Sequence, residues 1–244
     1  MGNIAVIIPA AGKSERFGGS EKKTFAKIDG RPMFLRTLEL FLRREDVCQT
    51  ILAVAPEDID TMKTVHGAAL GFLGVRIVSG GARRCDTVAA ALQTLSDDAQ
   101  YVAIHDAARP CVAVERIDAV FAEAAKTGAA ILAAPLTGTI KRVSATMTID
   151  ETVSREGLYE AQTPQVFRRD ILTQAYAQTI PATDDVTDDA QLVERTGHPV
   201  AIVASDASNL KITSRGDLTL AAAIIKTRPS RQAPRMGAFE EAQW

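Results

Sequence analysis

The sequence is short of the features that mark membrane, secreted and nucleic-acid-binding proteins. Nowhere in its 244 residues does an apolar run approach the ~18–20 residues of a membrane-spanning helix. It has three cysteines, Cys48, Cys85 and Cys111, widely spaced and with no CxxC pair. An odd set without a framework predicts free thiols in a reducing compartment, the cytoplasm. Neither charge sign is in excess: 28 basic residues stand against 30 acidic ones, a net charge of −2. That balance gives no field for nucleic acid or an anionic membrane, so neither is expected as a partner. No basic segment precedes the first apolar run, which ends at Pro9, so no signal peptide is expected.

What remains is the composition of a globular protein, 46% hydrophobic and 24% charged, with a length that suits one large α/β domain or two small ones. Short apolar, β-branched runs recur at Ile4–Ile8, Thr50–Ala55, Val75–Ser79, Tyr101–His105, Ala130–Ala134 and Val200–Ala204. Most are continuous rather than alternating, as for strands covered on both faces. Helical patterns lie between them, at Met33–Arg44, Asp86–Leu95 and Val114–Thr127, the last ending at a capping Gly128. Ser214-Arg-Gly-Asp217 has capping-box spacing before Leu218–Lys226. The alternation predicts a Rossmann-like α/β fold, a mostly parallel sheet with helices on both faces.

One stretch breaks the pattern. From Thr139 to Ile149, Val143, Ala145, Met147 and Ile149 alternate with polar residues, the period of a half-exposed strand or hairpin. An arm with one apolar face needs a partner, and the pattern leaves open a dimer contact or a hairpin folded back on its own domain. The expected organisation is a single domain over 1–226, with a β-arm insertion at about 137–158 and a loose tail at 227–244.

Two loops carry the chemistry. Residues 10–23, AAGKSERFGGSEKK, follow the first strand and contain a P-loop-like Gly12-Lys13-Ser14. A P-loop requires GxxxxGK[ST], and its first glycine would fall on Ile7, inside the strand, so this is not one. GxGxxG is absent too. A small-residue loop with Arg16, Lys22 and Lys23 at the carboxyl end of a parallel strand still suits phosphate, because backbone N–H groups approach closely and cations neutralise charge. Taken alone, the loop reads first as a solvated basic turn. The second loop ends the strand Tyr101–His105 with Asp106 and Arg109. A carboxylate there can hold Mg²⁺ directly or through water, and an arginine can fork onto phosphate. Together the two loops favour a Mg²⁺-nucleotide site over a strand-end ion pair.

These residues, with others along the chain, resemble the 2-C-methyl-D-erythritol 4-phosphate cytidylyltransferase family. The resemblance is carried by Pro9-Ala-Ala-Gly12 with Arg16 and Lys23, Gly30-Arg-Pro32, Gly80-Gly81 with Arg84 and Asp86, and His105-Asp-Ala-Ala-Arg-Pro110. Thr139-Ile-Lys141, Thr152-Val-Ser-Arg155, Ala161-Gln-Thr-Pro-Gln165, Thr187-Asp188-Asp189 and Asn209-Leu-Lys-Ile-Thr213 continue it in order to about residue 226.

The resemblance implies an enzyme that joins CTP to 2-C-methyl-D-erythritol 4-phosphate with Mg²⁺ and releases pyrophosphate. It implies that Ala10, Ala11 and Gly12 contact the nucleotide through backbone, with Gly81, Asp86 and Thr87 reading cytosine and ribose. Arg16, Lys23 and Lys211 would be catalytic cations on the phosphates. Asp106 would serve the metal, and Asp106, Arg109, Thr139, Arg155 and Thr163 the polyol-phosphate pocket, with Thr139 and Arg155 reaching across a homodimer. A phosphate monoester nucleophile is largely dianionic at neutral pH and needs no general base, so His105 is read as structural and Cys85 as a small filler. The sequence departs from the family at Ser14-Glu15, at Lys22-Lys23-Thr24 where Pro-Lys-Gln is usual, and at Ala82. Ribitol 5-phosphate as acceptor, another nucleotide, and a non-catalytic nucleotide-binding homologue remain alternatives.

Overall fold

The computed structural model describes residues 2–12, 17–18, 22–178, 180–181 and 186–228. Its strands are β1 (Ile4–Ala10), β2 (Lys27–Ile28), β3 (Arg31–Pro32), β4 (Val47–Val54), β5 (Val75–Ser79), β6 (Tyr101–Ile104), β7 (Ala129–Pro135), β8 (Ile140–Val143), β9 (Ile149–Val153), β10 (Tyr159–Arg168) and β11 (Ala201–Ala204). Its α-helices are α1 (Met33–Glu39), α2 (Ile59–Phe72), α3 (Arg84–Leu92), α4 (Val114–Thr127), α5 (Arg169–Ala177), α6 (Asp189–Glu194) and α7 (Gly216–Thr227).

Seven strands form one sheet in the order β11-β7-β10-β6-β1-β4-β5. The continuous apolar runs are explained by its two covered faces. Along β1, Ile4, Val6 and Ile8 join a cluster with Phe34, Leu38 and Phe41 near α1, Met62 of α2, and Ile117 and Val120 of α4. Ile7 points the other way, into a cluster with Val88 of α3, Leu172 of α5 and Val193 of α6. Burying each such side chain stabilises the fold by about 1.5–3 kcal/mol, so polar residues at alternate positions would be costly on either face.

The expected parallel sheet is present with one exception that the sequence did not reveal. β10 runs antiparallel between β6 and β7. Its register with β7 shifts between Ala161 and Gln165. The bulge holds Gln162, Thr163 and Pro164, and Pro164 follows a cis peptide bond. Proline has no N–H to give a ladder, so a bulge tolerates it inside a sheet.

The helix expected over Met33–Arg44 ends at Glu39. The Leu40 N–H bonds the Thr37 carbonyl and the Phe41 N–H the Leu38 carbonyl, so the chain tightens into i→i+3 turns while Phe41 stays buried. α4 has its expected bounds, and Gly128 caps it with φ 85°. Ahead of α7, Asp217 Oδ2 accepts the Ser214 N–H at 2.8 Å, one half of the expected capping box. Among the described residues β8 and β9 pair only with each other, which makes the alternating stretch a hairpin with Met147 and Ile149 exposed. Its two ends are joined by the Leu136 N–H on the Leu158 carbonyl, 3.1 Å.

Candidate active site

The sheet order reverses direction about β1: β4 and β5 lie on one side and β6 on the other. Loops leaving the carboxyl ends of β1 and β6 therefore diverge, and a crevice opens between them. A cleft of about 160 Å³ is lined there by Pro9 to Gly12, by Lys23 and Thr24, by Gly81 to Arg84 with Thr87, by Asp106 to Ala108, and by Lys211. A second compartment of about 140 Å³ is lined by Arg109, Gln162, Thr163, Gln165, Thr187 and Asp188. Arg84, Asp106 and Lys211 border both.

The first compartment is shaped by backbone. A Cβ on Gly81 would stand 2.5 Å from Asp86 Cβ, and one on Gly80 2.8 Å from the Thr87 side chain, so this turn closes only with glycine. Thr87 is buried; its hydroxyl accepts the Gly81 N–H at 3.1 Å and reaches the Arg83 carbonyl at 3.1 Å. A Cβ on Gly12 would meet nothing within 4 Å, so there the glycine leaves room in the cleft itself. Asp86 does not line the cleft. It caps α3, accepting the Arg83 N–H and holding the Arg83 guanidinium at 2.8 and 3.0 Å. The Arg83 ion pair, side-chain hydrogen bond first, holds its carboxyl below the usual range.

Charge is concentrated at the border. Asp106 accepts from Lys211 Nζ at 2.7 Å and from Arg84 Nε at 3.2 Å. Burial would raise its pKa, but Arg84, Lys211 and Arg109 outweigh burial and hold the carboxyl well below the usual carboxylate range. Arg84 also pairs with the buried Asp189 at 2.7 Å, and Tyr176 donates to the other Asp189 oxygen at 2.6 Å. Burial opposes the Arg84 charge, and the two carboxylates more than restore it.

The second compartment rests on a buried polar frame. His105 is fully buried, and burial pushes its pKa down to about 4, so it is neutral near pH 7. Its Nε2 is 3.0 Å from the Arg109 carbonyl, which can only accept, so Nε2 carries the proton and Nδ1 accepts from the Thr163 hydroxyl at 3.0 Å. The same hydroxyl oxygen accepts the Asp106 N–H at 3.1 Å. Arg109 donates to the Asn209 carbonyl at 2.7 Å, while its Nε is buried without a partner. Burial lowers the Arg109 pKa. Asn209 Nδ2 in turn holds the Thr163 carbonyl at 2.9 Å and Gln162 at 3.0 Å.

Of the expected site residues, Ala10, Ala11, Gly12, Lys23, Gly81, Thr87, Asp106, Arg109, Thr163 and Lys211 come together at the two compartments. Thr139 and Arg155 do not: both are exposed beside the hairpin, and Arg155 donates to the Thr137 carbonyl. Arg16, with Ser14 and Glu15, lies outside the described residues. Arg84, Gln165, Asp189 and Asn209 had no assigned role. Each stands in a motif quoted above, and an arginine beside Gly80-Gly81 was the signal for the first.

A family model described as "IspD: 2-C-methyl-D-erythritol 4-phosphate cytidylyltransferase" matches residues 4–227. A relative of that name from Rhodopirellula baltica is 46% identical, over 91% of this chain and 95% of its own length. One from Frankia casuarinae is 40% identical, over 91% and 81%. The crystal structure of the Thermus thermophilus protein of that name superposes with a TM-score of 0.76 at 31% identity, covering 93% of this chain and all of that one. With the crevice at the sheet's switch point and the glycine-lined loop beside it, the match over nearly the whole described chain places this protein in the 2-C-methyl-D-erythritol 4-phosphate cytidylyltransferase family.

Proposed function

We infer that this enzyme joins CTP and 2-C-methyl-D-erythritol 4-phosphate, giving 4-diphosphocytidyl-2-C-methyl-D-erythritol and pyrophosphate in non-mevalonate isoprenoid synthesis. The observation that carries the reading is the shared border of the two compartments. A transfer between two phosphates needs both substrates to meet at one cationic wall, and Arg84 and Lys211 form it around Asp106. The family match and its relatives favour this acceptor over ribitol 5-phosphate and over a non-catalytic homologue.

CTP would lie in the glycine-lined compartment, with Ala10, Ala11, Gly12, Gly81 and Thr87 on nucleoside and phosphates, and Asp86 acting through the α3 cap. Arg16, Lys23 and Lys211 would hold the triphosphate. The acceptor would enter beside Arg109 and Thr163, with Thr139 and Arg155 closing over it from a second subunit of a homodimer built on the β-arm. The acceptor's phosphate oxygen attacks the α-phosphate in line and pyrophosphate leaves. The attacking group is already anionic, so catalysis reduces to alignment and charge neutralisation. His105, neutral and bonded at both nitrogens, takes no proton.

Mg²⁺ binds through one or two carboxylates plus substrate phosphates rather than through an all-protein cage. Asp106 would serve it; because both its oxygens are in ion pairs, it would do so through water, or after a cation moves to phosphate. The ion, when bound, neutralises triphosphate charge. We place the enzyme in the cytoplasm, on its unpaired cysteines, as one catalytic domain over 1–226 with the arm at about 137–158; Thr227 ends α7, and the rest of the expected tail, from residue 229 to 244, lies outside the described residues.

The test is pyrophosphate release with Mg²⁺ and CTP, offering methylerythritol 4-phosphate and ribitol 5-phosphate in parallel, with ATP, GTP and UTP as controls. Turnover with CTP and methylerythritol 4-phosphate alone is expected. Preference for ribitol 5-phosphate would reassign the acceptor compartment, and no turnover from folded protein that binds CTP would restore the non-catalytic reading.

A further inference from the structure

Lys22 immediately precedes Lys23. Its backbone has φ −65° and ψ 135°, the φ at which a proline ring would hold it. Here the side chain is anchored instead. The Lys22 ammonium lies 2.7 Å from Asp58 Oδ1 and 3.1 Å from Glu57 Oε1. Both carboxylates belong to the short turn Pro56–Asp58 that leads into α2, and α2 is fixed to the sheet through Met62 and Leu70. The contact therefore ties a loop residue to a rigid element.

The following residues carry that constraint to the cleft. The Phe25 N–H closes on the Lys22 carbonyl at 3.0 Å and the Ala26 N–H on the Lys23 carbonyl at 3.1 Å. Thr24, buried, donates to the Ala10 carbonyl at 3.2 Å. Lys23 lines the nucleotide compartment, whereas Lys22 does not.

We propose that Lys22 is a positioning residue: its ion pairs with Glu57 and Asp58 fix the backbone entering Lys23 and aim that lysine into the nucleotide compartment. The inference rests on the reading that Lys23 acts on the triphosphate. A charge clamp holds this backbone as a covalent ring would at the same φ, and the two differ in one physical respect. Lys22 and Glu57 are partly exposed, so salt screens the clamp, whereas salt has no effect on a pyrrolidine ring.

The experiment measures kcat and KM of the wild type, K22A, D58N and K22P at low and high salt, with NMR amide exchange at Phe25 and Ala26. K22A and D58N are expected to lose about three- to fivefold in kcat at low salt, the scale of a partly exposed ion-pair network, and to exchange faster at both amides. K22P is expected to keep both kcat and protection, and the wild-type to K22P ratio of kcat to fall as salt rises. Dividing by K22P removes the general effect of salt on phosphate binding. Wild-type kcat and exchange in K22A would overturn the proposal. So would K22P as slow as K22A with its amides protected, because the ammonium and not the backbone would then matter. If the wild type itself fails to turn over CTP, the functional reading fails, and amide exchange alone still decides the clamp.

Discussion

Lys211 Nζ lies 2.7 Å from Asp106 Oδ2, where the two compartments of the crevice meet. In the proposed mechanism a substrate phosphate competes with Asp106 for Lys211, and Arg84 on the other oxygen would keep the carboxylate paired as Lys211 turns to phosphate.

Replacing Lys211 or Lys23 with Ala is therefore expected to lower kcat at least ~100-fold, the usual scale for removing a charge-stabilising donor. Lys211 is 40% exposed and leaves Asp106 paired with Arg84, so the fold should survive. Pyrophosphate-release kinetics beside a thermal melt check both. Near-normal kcat in either variant would remove that residue from the mechanism.

Arg155→Ala is expected to raise KM for the acceptor about 10-fold or more, with KM for CTP little changed; an Arg–phosphate fork is worth about 1.5–3 kcal/mol. If the arm acts across a dimer, mixed dimers of Arg155→Ala with Lys23→Ala regain turnover at low acceptor concentration, because one of their two sites is intact. Additive activity of the two homodimers would place Arg155 on its own subunit's site or on none.

Asp189→Ala leaves Arg84 and Tyr176 without their shared partner in a fully buried position. Breaking one side of a buried pair costs about 3–5 kcal/mol. Urea unfolding should show the loss, and a cost under about 1 kcal/mol would mean that water or Asp106 takes over the pairing.

Acid stability should follow His105. Its folded pKa, about 4, lies below the ordinary 6.5, so the unfolded chain binds the proton first. The contribution is full above pH ~6.5 and is lost progressively as pH falls towards 4, about 3 kcal/mol in all. His105→Gln keeps a donor and an acceptor without titrating. Its unfolding free energy should change less between pH 7 and 4.5 than the wild type's, and parallel profiles would exclude His105 as the source.

Much of this was legible in sequence wherever one force acted alone. β5 had its expected bounds from its short apolar run, and α4 from its apolar stripe and the capping Gly128. β10 was hidden because its buried middle is polar: Gln165 Oε1 accepts the N–H groups of Asp189 and Ala190, and Gln162 pairs with Asn209. Hydrogen bonds to distant segments leave no hydrophobic period to read. α1 was read too long because Phe41 keeps the apolar stripe while the backbone tightens. In the site, motif residues such as Asp106 and Lys211 were named, but the Arg84–Asp189 pair joins α3 to α6, and no local spacing announces such a contact.

The reversed direction of β10 has a consequence for how acceptor preference can diversify. The segment between Leu136 and Leu158 leaves and re-enters the sheet at neighbouring positions, with Pro135 opposite Tyr159. Its length and sequence can change without moving a strand of the seven-stranded sheet or the glycine-lined loop. If Thr139 and Arg155 serve the acceptor as proposed, the two leucines are seams of an exchangeable cassette, and transplanting this stretch from a relative with another polyol phosphate would change the product while keeping the same CTP-binding body.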